Sequence, residues 1–273
     1  MKGIDVYTLD GVIDWEKVAA DKVGFAMVKA TQGYLVSNPK SGMITDSKFK
    51  KNIEGASEHG LQVGAYHYLM AKTVDDAKKE AAYFIKAIMP YKDRIDLYAA
   101  VDIENDKAKR YSTSEKKLNT DILLAFCAEV EKAGFASMIY INPNFIKNYL
   151  EFDRLADKNI WLAYYTDERT ARGYIEKFKD PDAFKIWQYG KATVKGIAKD
   201  VDGDILLQEE IKRGDHVKIT GDRYYNGAPI PERVKAIVWI VDSVVNDRAV
   251  LGRSVDGKHT LNSAVDVNDL RKV

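Results

Sequence analysis

The stretch Leu97-Tyr98-Ala99-Ala100-Val101-Asp102-Ile103-Glu104-Asn105 decides how the chain is read. It opens as an unbroken apolar run, the pattern of a strand buried on both faces. It ends in two acids two positions apart. Side chains alternate across a strand, so Asp102 and Glu104 leave on one face while Ile103 turns the other way into the wall. Carboxylates at the mouth of an apolar strand are costly to desolvate unless something uses them. Two acids held close also acquire unequal proton affinities, so that one keeps its proton near neutral pH while the other is ionised. That division suits cleavage of a glycosidic bond, with an acid for the leaving oxygen and an anion for the developing positive charge. An Asp-x-Glu is also found at solvated turns and helix caps, so the rest of the chain has to decide.

Further strand patterns lie on both sides of this stretch, at 3–7, 25–30 and 61–68 before it and at 136–142, 160–165, 183–189 and 200–207 after it. Helical patterns separate most of them. Asp14 is placed to cap a helix that starts at Trp15. A second runs over 46–59 and stops at Gly60. A third starts at Val74, carries Ala81, Phe84, Ile85 and Ile88 on one stripe, and ends at Pro90. Ser112 and Glu115 have the spacing of a capping box. The helix behind them turns Leu118, Ile122, Ala125 and Phe126 inward and stops near Gly134. The late crossovers are short. Strands alternating with helices predict a parallel α/β sheet, and eight strands predict that it closes into a barrel with its chemistry at the C-terminal strand ends. Several strands do end in polar or aromatic residues: Lys29, Tyr66 to Tyr68, Tyr140, Tyr164 and Trp187 to Tyr189. Asp5 and Asp202 become neighbours if the first and last strands pair.

From about Ile211 the pattern changes. Segments at 217–220, 234–241, 244–251 and 261–265 are short and β-branched. Gly221-Asp222, Asn226-Gly227, Asn246-Asp247 and Asp256-Gly257 punctuate them as turns. No helix-length pattern survives, so the tail is expected to be a small all-β module.

Composition narrows the function. The formal net charge of +1 implies no general attraction to nucleic acid or to an anionic membrane. No apolar run approaches the ~20 residues that span a bilayer. The 16 Tyr, 9 Phe and 4 Trp offer flat faces that suit sugar rings and core packing alike. Cys127 is the one cysteine; beside Phe126 in a helical pattern, it reads as a small buried hydrophobe. His59, His216 and His259 lack ligand spacing, which argues against a metal-dependent deacetylase or peptidase. Met1 to Asp5 enters a strand pattern at once, with no basic-then-apolar signal segment. The expected location is therefore the cytosol, unless another system exports or releases the protein.

Eight ordered motifs carry a resemblance to a known family. They are Gly3-Ile4-Asp5-Val6, Val28-Lys29-Ala30-Thr31-Gln32-Gly33, Gly64-Ala65-Tyr66-His67-Tyr68 and Val101-Asp102-Ile103-Glu104, then Ile139-Tyr140-Ile141-Asn142, Trp161-Leu162-Ala163-Tyr164-Tyr165, Ile186-Trp187-Gln188-Tyr189 and Val201-Asp202. In this order they resemble the glycoside hydrolase family 25 lysozymes, the N-acetylmuramidases of phage endolysins and bacterial autolysins. The resemblance implies an irregular, flattened (β/α) TIM-like barrel over 1–208. It implies cleavage of the β-1,4 bond between N-acetylmuramic acid and N-acetylglucosamine of bacterial peptidoglycan, with no metal and no cofactor. By motif, Glu104 is similar to the general acid. Asp102 is similar to the carboxylate that stabilises the positively charged intermediate, which can form with help from the substrate's acetamido group. Asp5 and Asp202 match the outer acidic positions, with Asp200 and Asp204 as alternatives to Asp202. Tyr66, Tyr140, Tyr164 and Trp187 would line the groove, with simple filling of the barrel as the equal alternative for Trp187. Lys29 would bind a muramyl carboxylate or pair with Asp5 or Asp202. Gln32 departs from the family, which often has Glu there.

Residues 212–273 resemble the bacterial SH3-like cell-wall-binding modules of some endolysins. The resemblance rests on Val217-Lys218-Ile219-Thr220-Gly221, Tyr224-Tyr225-Asn226-Gly227, Ile230-Pro231 and the closing segment from Asn262-Ser263 to Asp269-Leu270. It implies a second, small SH3-like barrel that docks to a cell-wall ligand and concentrates the enzyme on its substrate. Two other readings stay open: a non-catalytic wall-binding protein, and a barrel glycosidase acting on another N-acetylated polymer such as chitin. His67 is expected to be a hydrogen-bonded wall residue rather than a proton shuttle.

Overall fold

The computed structural model describes residues 1–35, 37–105, 109–207 and 211–272, with 262, 268 and 271 described through their backbone alone. Gln208, where the sequence reading ends the first domain, lies outside the described residues. The chain divides into two compact units, Met1–Leu207 and Gln208–Val273.

The first unit runs β1 (Lys2–Val6), α1 (Trp15–Ala20), β2 (Phe25–Gln32), β3 (Ile44–Thr45), α2 (Phe49–Glu58), β4 (Gln62–Tyr68), α3 (Val74–Ile88), β5 (Ala99–Asp102), α4 (Lys116–Lys132), β6 (Ser137–Ile141), α5 (Pro143–Asn148), β7 (Asn159–Ala163), α6 (Glu168–Ile175), β8 (Phe184–Ala192) and β9 (Val201–Leu206). The sheet order is β1-β9-β8-β7-β6-β5-β4-β2-β3, and β1 also pairs with β2. Eight strands therefore close into a barrel, with β3 as an antiparallel flap on β2.

One strand corrects the all-parallel expectation. β9 runs antiparallel to both of its neighbours, β1 and β8. A parallel return needs a crossover of about a dozen residues or more, whereas an antiparallel one needs only a loop. Residues 193–200 hold no helix, so the chain turns back instead of crossing over.

Period-2 alternation sorts the side chains into two cores. Ile4, Val6, Ala26, Val28, Val63, Ala65, Ala99, Val101, Ile139 and Ile160 pack outward under the helices, joined by Phe84, Ile88, Ile122, Phe126 and Val130. Phe25, Met27, Tyr66, Ala100, Met138, Trp161 and Ile186 fill the barrel interior. Two glycines make room for them. A Cβ on Gly3 would run into the Phe25 ring, and one on Gly64 into the Met27 sulfur.

The helix ends follow local chemistry. Asp14 accepts the Lys17 amide at 3.2 Å, a cap worth about 1 kcal/mol. Gly134, at φ +82°, ends α4, and the next amide returns to the Val130 carbonyl at 3.3 Å. α2 starts three residues later than expected because Asp46 is used elsewhere: its carboxylate takes the Thr8 and Lys48 amides. Ser112 caps a 3-10 turn (Thr113–Glu115) through the Ser114 amide, and α4 continues from it. Within α4, Ile122 and Phe126 are buried as expected, while Leu118 and Ala125 are half-buried.

The second unit is an antiparallel sheet of β10 (His216–Ile219), β11 (Trp239–Val245), β12 (Arg248–Ser254), β13 (Thr260–Asp266) and β14 (Leu270–Lys272), in the order β13-β12-β11-β10-β14. Its core gathers Val217, Ile219, Ile230, Trp239, Val241, Ala249, Leu251, Val265 and Leu270. The expected strand at 234–241 is partly a helical turn, α7 (Glu232–Lys235), which Pro231 starts and whose Val234 carbonyl takes the Trp239 indole N–H at 2.9 Å. The Asn246-Asp247 turn joins β11 to β12, with Asn246 at φ +55°.

Candidate active site

At the C-terminal strand ends the inward positions turn polar. β5 shows how. Ala99, Val101 and Ile103 pack outward, Ala100 packs inward, and Asp102 follows Ala100 on the inner face. Asp102 and Glu104 both line a cavity of about 260 Å³. Asp5, Asp202, Lys29, Tyr66 and Tyr140 line it too, each from a different strand. The sequence reading missed Tyr7, Tyr68, Trp161 and Gln188 as lining residues. For three of them the signal was parity: Tyr7, Tyr68 and Gln188 each sit two positions beyond an inward residue, Asp5, Tyr66 and Ile186.

Parity also accounts for two corrections. Tyr164 and Trp187 do not line this cavity. On β7 Trp161 points in, so Tyr164 points out and packs edge-on against Tyr174 at 5.5 Å. On β8 Gln188 points in, so Trp187 points out; it is 4% exposed, and its indole N–H reaches the Tyr164 carbonyl at 2.8 Å. Tyr165 shares the parity of Trp161, and its hydroxyl donates to Asp202 Oδ1 at 2.8 Å.

The three candidate aspartates near residue 202 have separate fates. Asp200 is exposed and accepts the Thr193 hydroxyl at 2.7 Å. Asp202 is the register partner of Asp5 across β1 and β9, and Lys191 Nζ sits 2.8 Å from its Oδ1. Asp204 is fully buried below them and accepts the Trp161 indole N–H at 2.8 Å.

Hydrogen bonds hold the walls. Tyr140 donates to Gln188 Oε1 at 2.9 Å, and Gln188 Nε2 donates to Asp5 Oδ2 at 2.8 Å. Trp161 meets Tyr140 edge-on at 4.8 Å and Tyr66 at 5.9 Å. Lys29 lies over the Tyr68 ring at 4.9 Å and donates to Gln32 Oε1 at 2.7 Å. Gln32 Nε2 donates onward to the Tyr34 carbonyl at 2.7 Å. The ammonium of Lys29 is thus oriented by a neutral amide and forms no ion pair with Asp5 or Asp202 closer than 4 Å.

The electrostatics are those of a desolvated acidic cleft. Burial, then the charge of Glu104, pushes the Asp102 carboxyl well above the ordinary carboxylate range, while Lys29 opposes the rise. Burial, then Asp202, pushes Asp5 up to about 7. Burial lowers the Lys29 ammonium, and Asp102, Asp46 and Glu104 pull it back up.

His67 lies outside the cavity and is fully buried. Its Nδ1 meets the Thr31 hydroxyl at 2.7 Å and its Nε2 meets Glu80 at 2.8 Å, and its ring stacks on Phe126. That is the hydrogen-bonded wall residue expected of it. Cys127 is buried and free, and burial pushes its thiol up to about 12.

Comparison with known proteins fits this arrangement. The autolytic lysozyme of Clostridium acetobutylicum is 30% identical over 168 residues, covering 60% of this chain and 45% of its own length. The chain thus spans less than half of that relative. Among solved structures, the modular autolysin LytC from Streptococcus pneumoniae, in complex with a synthetic peptidoglycan ligand, aligns with a TM-score of 0.63 at 24% identity, covering 76% of this chain and 46% of that one. The CTP1L endolysin aligns with a TM-score of 0.59 at 22% identity, covering 78% and 71%. The sequence profile of glycosyl hydrolases family 25 matches residues 4–197, nearly the whole barrel. By that match, the chain belongs to glycosyl hydrolases family 25.

Proposed function

We propose that the barrel is an N-acetylmuramidase of endolysin type, cleaving the β-1,4 bond between N-acetylmuramic acid and N-acetylglucosamine in peptidoglycan. One observation carries this reading: Asp102 and Glu104 open together into one cavity whose other walls are tyrosines, a tryptophan, two further aspartates, Lys29 and Gln188. Glu104, beyond the strand end, is the general acid for the leaving oxygen. Asp102, the deeper of the two, stabilises the oxocarbenium or oxazolinium charge. Burial and the charge of Glu104 favour a proton on Asp102. Cleavage starts from the other arrangement, with the proton on Glu104 beside the leaving oxygen and Asp102 as the anion that stabilises the developing positive charge.

The second unit acts as an SH3-like wall-binding module that keeps the barrel at its substrate. Its small antiparallel sheet and separate core support that role.

The test is digestion of purified walls. Muropeptides ending in reducing muramic acid are expected, and reducing glucosamine ends or amide cleavage would overturn the reading. Glu104→Gln should lower lysis by 10² to 10⁴-fold, the usual size of a general-acid contribution, while wall binding stays intact.

A further inference from the structure

Beneath Asp202 lies a second acid that the proposed chemistry does not use. Asp204 is 0% exposed. Its Oδ1 accepts the Trp161 indole N–H, whereas its Oδ2 is buried without any N–H or O–H donor from the described residues. Its carboxyl meets that of Asp5. Asp5 in turn takes the Gln188 amide, and Gln188 takes the Tyr140 hydroxyl.

The line from Trp161 through Asp204, Asp5 and Gln188 to Tyr140 closes in one way. Two carboxylates in contact repel, whereas a carboxylic acid donates to a carboxylate. None of the indole, amide and hydroxyl donors along the line reaches Asp204 Oδ2, so the missing donor is a proton on one of the two acids. The surrounding charges do not replace it. Asp10, Asp102 and Asp202 add negative charge around Asp5. Tyr66, Tyr140, Tyr165 and Tyr189 are neutral phenols, all pushed upward. Lys191 is held by Asp202.

We propose that Asp204 is a positioning residue that shares one proton with Asp5, fixing the Asp5 carboxyl against Gln188 and keeping the cleft floor at one negative charge instead of two. Burial and Asp202 push Asp5 up to about 7 while the contact with Asp204 lowers it, and burial and the same contact raise Asp204, the asymmetry of a proton held on Asp204 and donated to Asp5. The consequence for lysis rests on the muramidase reading; the shared proton does not.

The experiment is a carboxyl-¹³C NMR titration of the full chain with no wall present. In the wild-type protein the Asp5 and Asp204 signals are expected to move together in one step near pH 7. Asp204→Asn keeps the shape, accepts the Trp161 N–H through its amide oxygen and donates to Asp5 through its amide nitrogen. Asp5 should then titrate at least one pH unit lower, and the wall-lysis profile should lose its inflection near pH 7. A merely structural Asp204 would leave both readouts unmoved in this variant, which would overturn the proposal. Should the variant not fold, the wild-type titration decides: two carboxyls ionised throughout pH 5 to 9 overturn the shared proton, and one joint step supports it. A wild-type chain that leaves walls intact would count against the muramidase reading without altering the NMR result.

Discussion

Asp5 and Asp202 face each other as direct register partners across the antiparallel pair that closes the barrel. Burial and this neighbour raise the Asp5 carboxyl from an ordinary 3.8 to about 7. A group raised in the folded state stabilises the fold fully below its unfolded value and loses that contribution as pH climbs through its folded one. Leaving Asp5 ionised therefore costs folding up to about 4 kcal/mol above pH 7, and Asp102 and Asp204 act with the same sign. Thermal melts should show the wild-type chain less stable at pH 8 than at pH 5, and Asp5→Asn should narrow that gap. An equal gap in both proteins would show that Asp5 is not the source.

Lys29 opposes the rise of Asp102 while its own ammonium is oriented by the neutral Gln32 amide. Lys29→Met removes the positive charge and relieves a desolvated ammonium, so the barrel should stay folded. The proton affinity of the Asp102 and Glu104 pair should rise. The pH profile of lysis should move upward by roughly one pH unit, the effect of losing one nearby opposite charge. A profile that stays in place while activity falls would assign Lys29 to substrate binding instead.

Parity separates two tyrosines that look alike in sequence. Tyr140→Phe removes the hydroxyl that orients Gln188, and through it Asp5. The loss of one such bond, about 1 to 1.5 kcal/mol, should lower kcat roughly tenfold. Tyr164→Phe, on the outward face of β7, should leave kcat within about twofold. Steady-state kinetics on soluble glycan fragments would read both, and the reverse order would overturn the placement of these side chains.

Much of the fold was legible because the barrel strands are short apolar runs and the helices between them carry clear stripes and caps. All eight barrel strands were expected near their observed positions, and the Asp102 and Glu104 pair follows from alternation alone. The direction of β9 was not legible, because a strand's residues look the same whichever way it runs; only the short 193–200 loop hinted at it. Tyr164 and Trp187 were set in the groove by resemblance to the family, with barrel filling also open for Trp187, and counting back to Trp161 and Gln188 turns both away from this cavity. Asp204 escaped notice because its partners, Trp161 and Asp5, are distant in sequence. The turn at Glu232–Lys235 was hidden by β-branched neighbours that suit a strand equally well.

The reversed ninth strand also bears on how the molecule is made. Of the barrel strands, β1 leaves the ribosome first and β9 last, yet these two form the seam. Until Leu206 has been synthesised, β1 and β8 present bare backbone edges of the kind that pair with strangers. The nascent barrel therefore depends on a long-range, late-forming contact, which slows folding and makes premature truncation a route to aggregation.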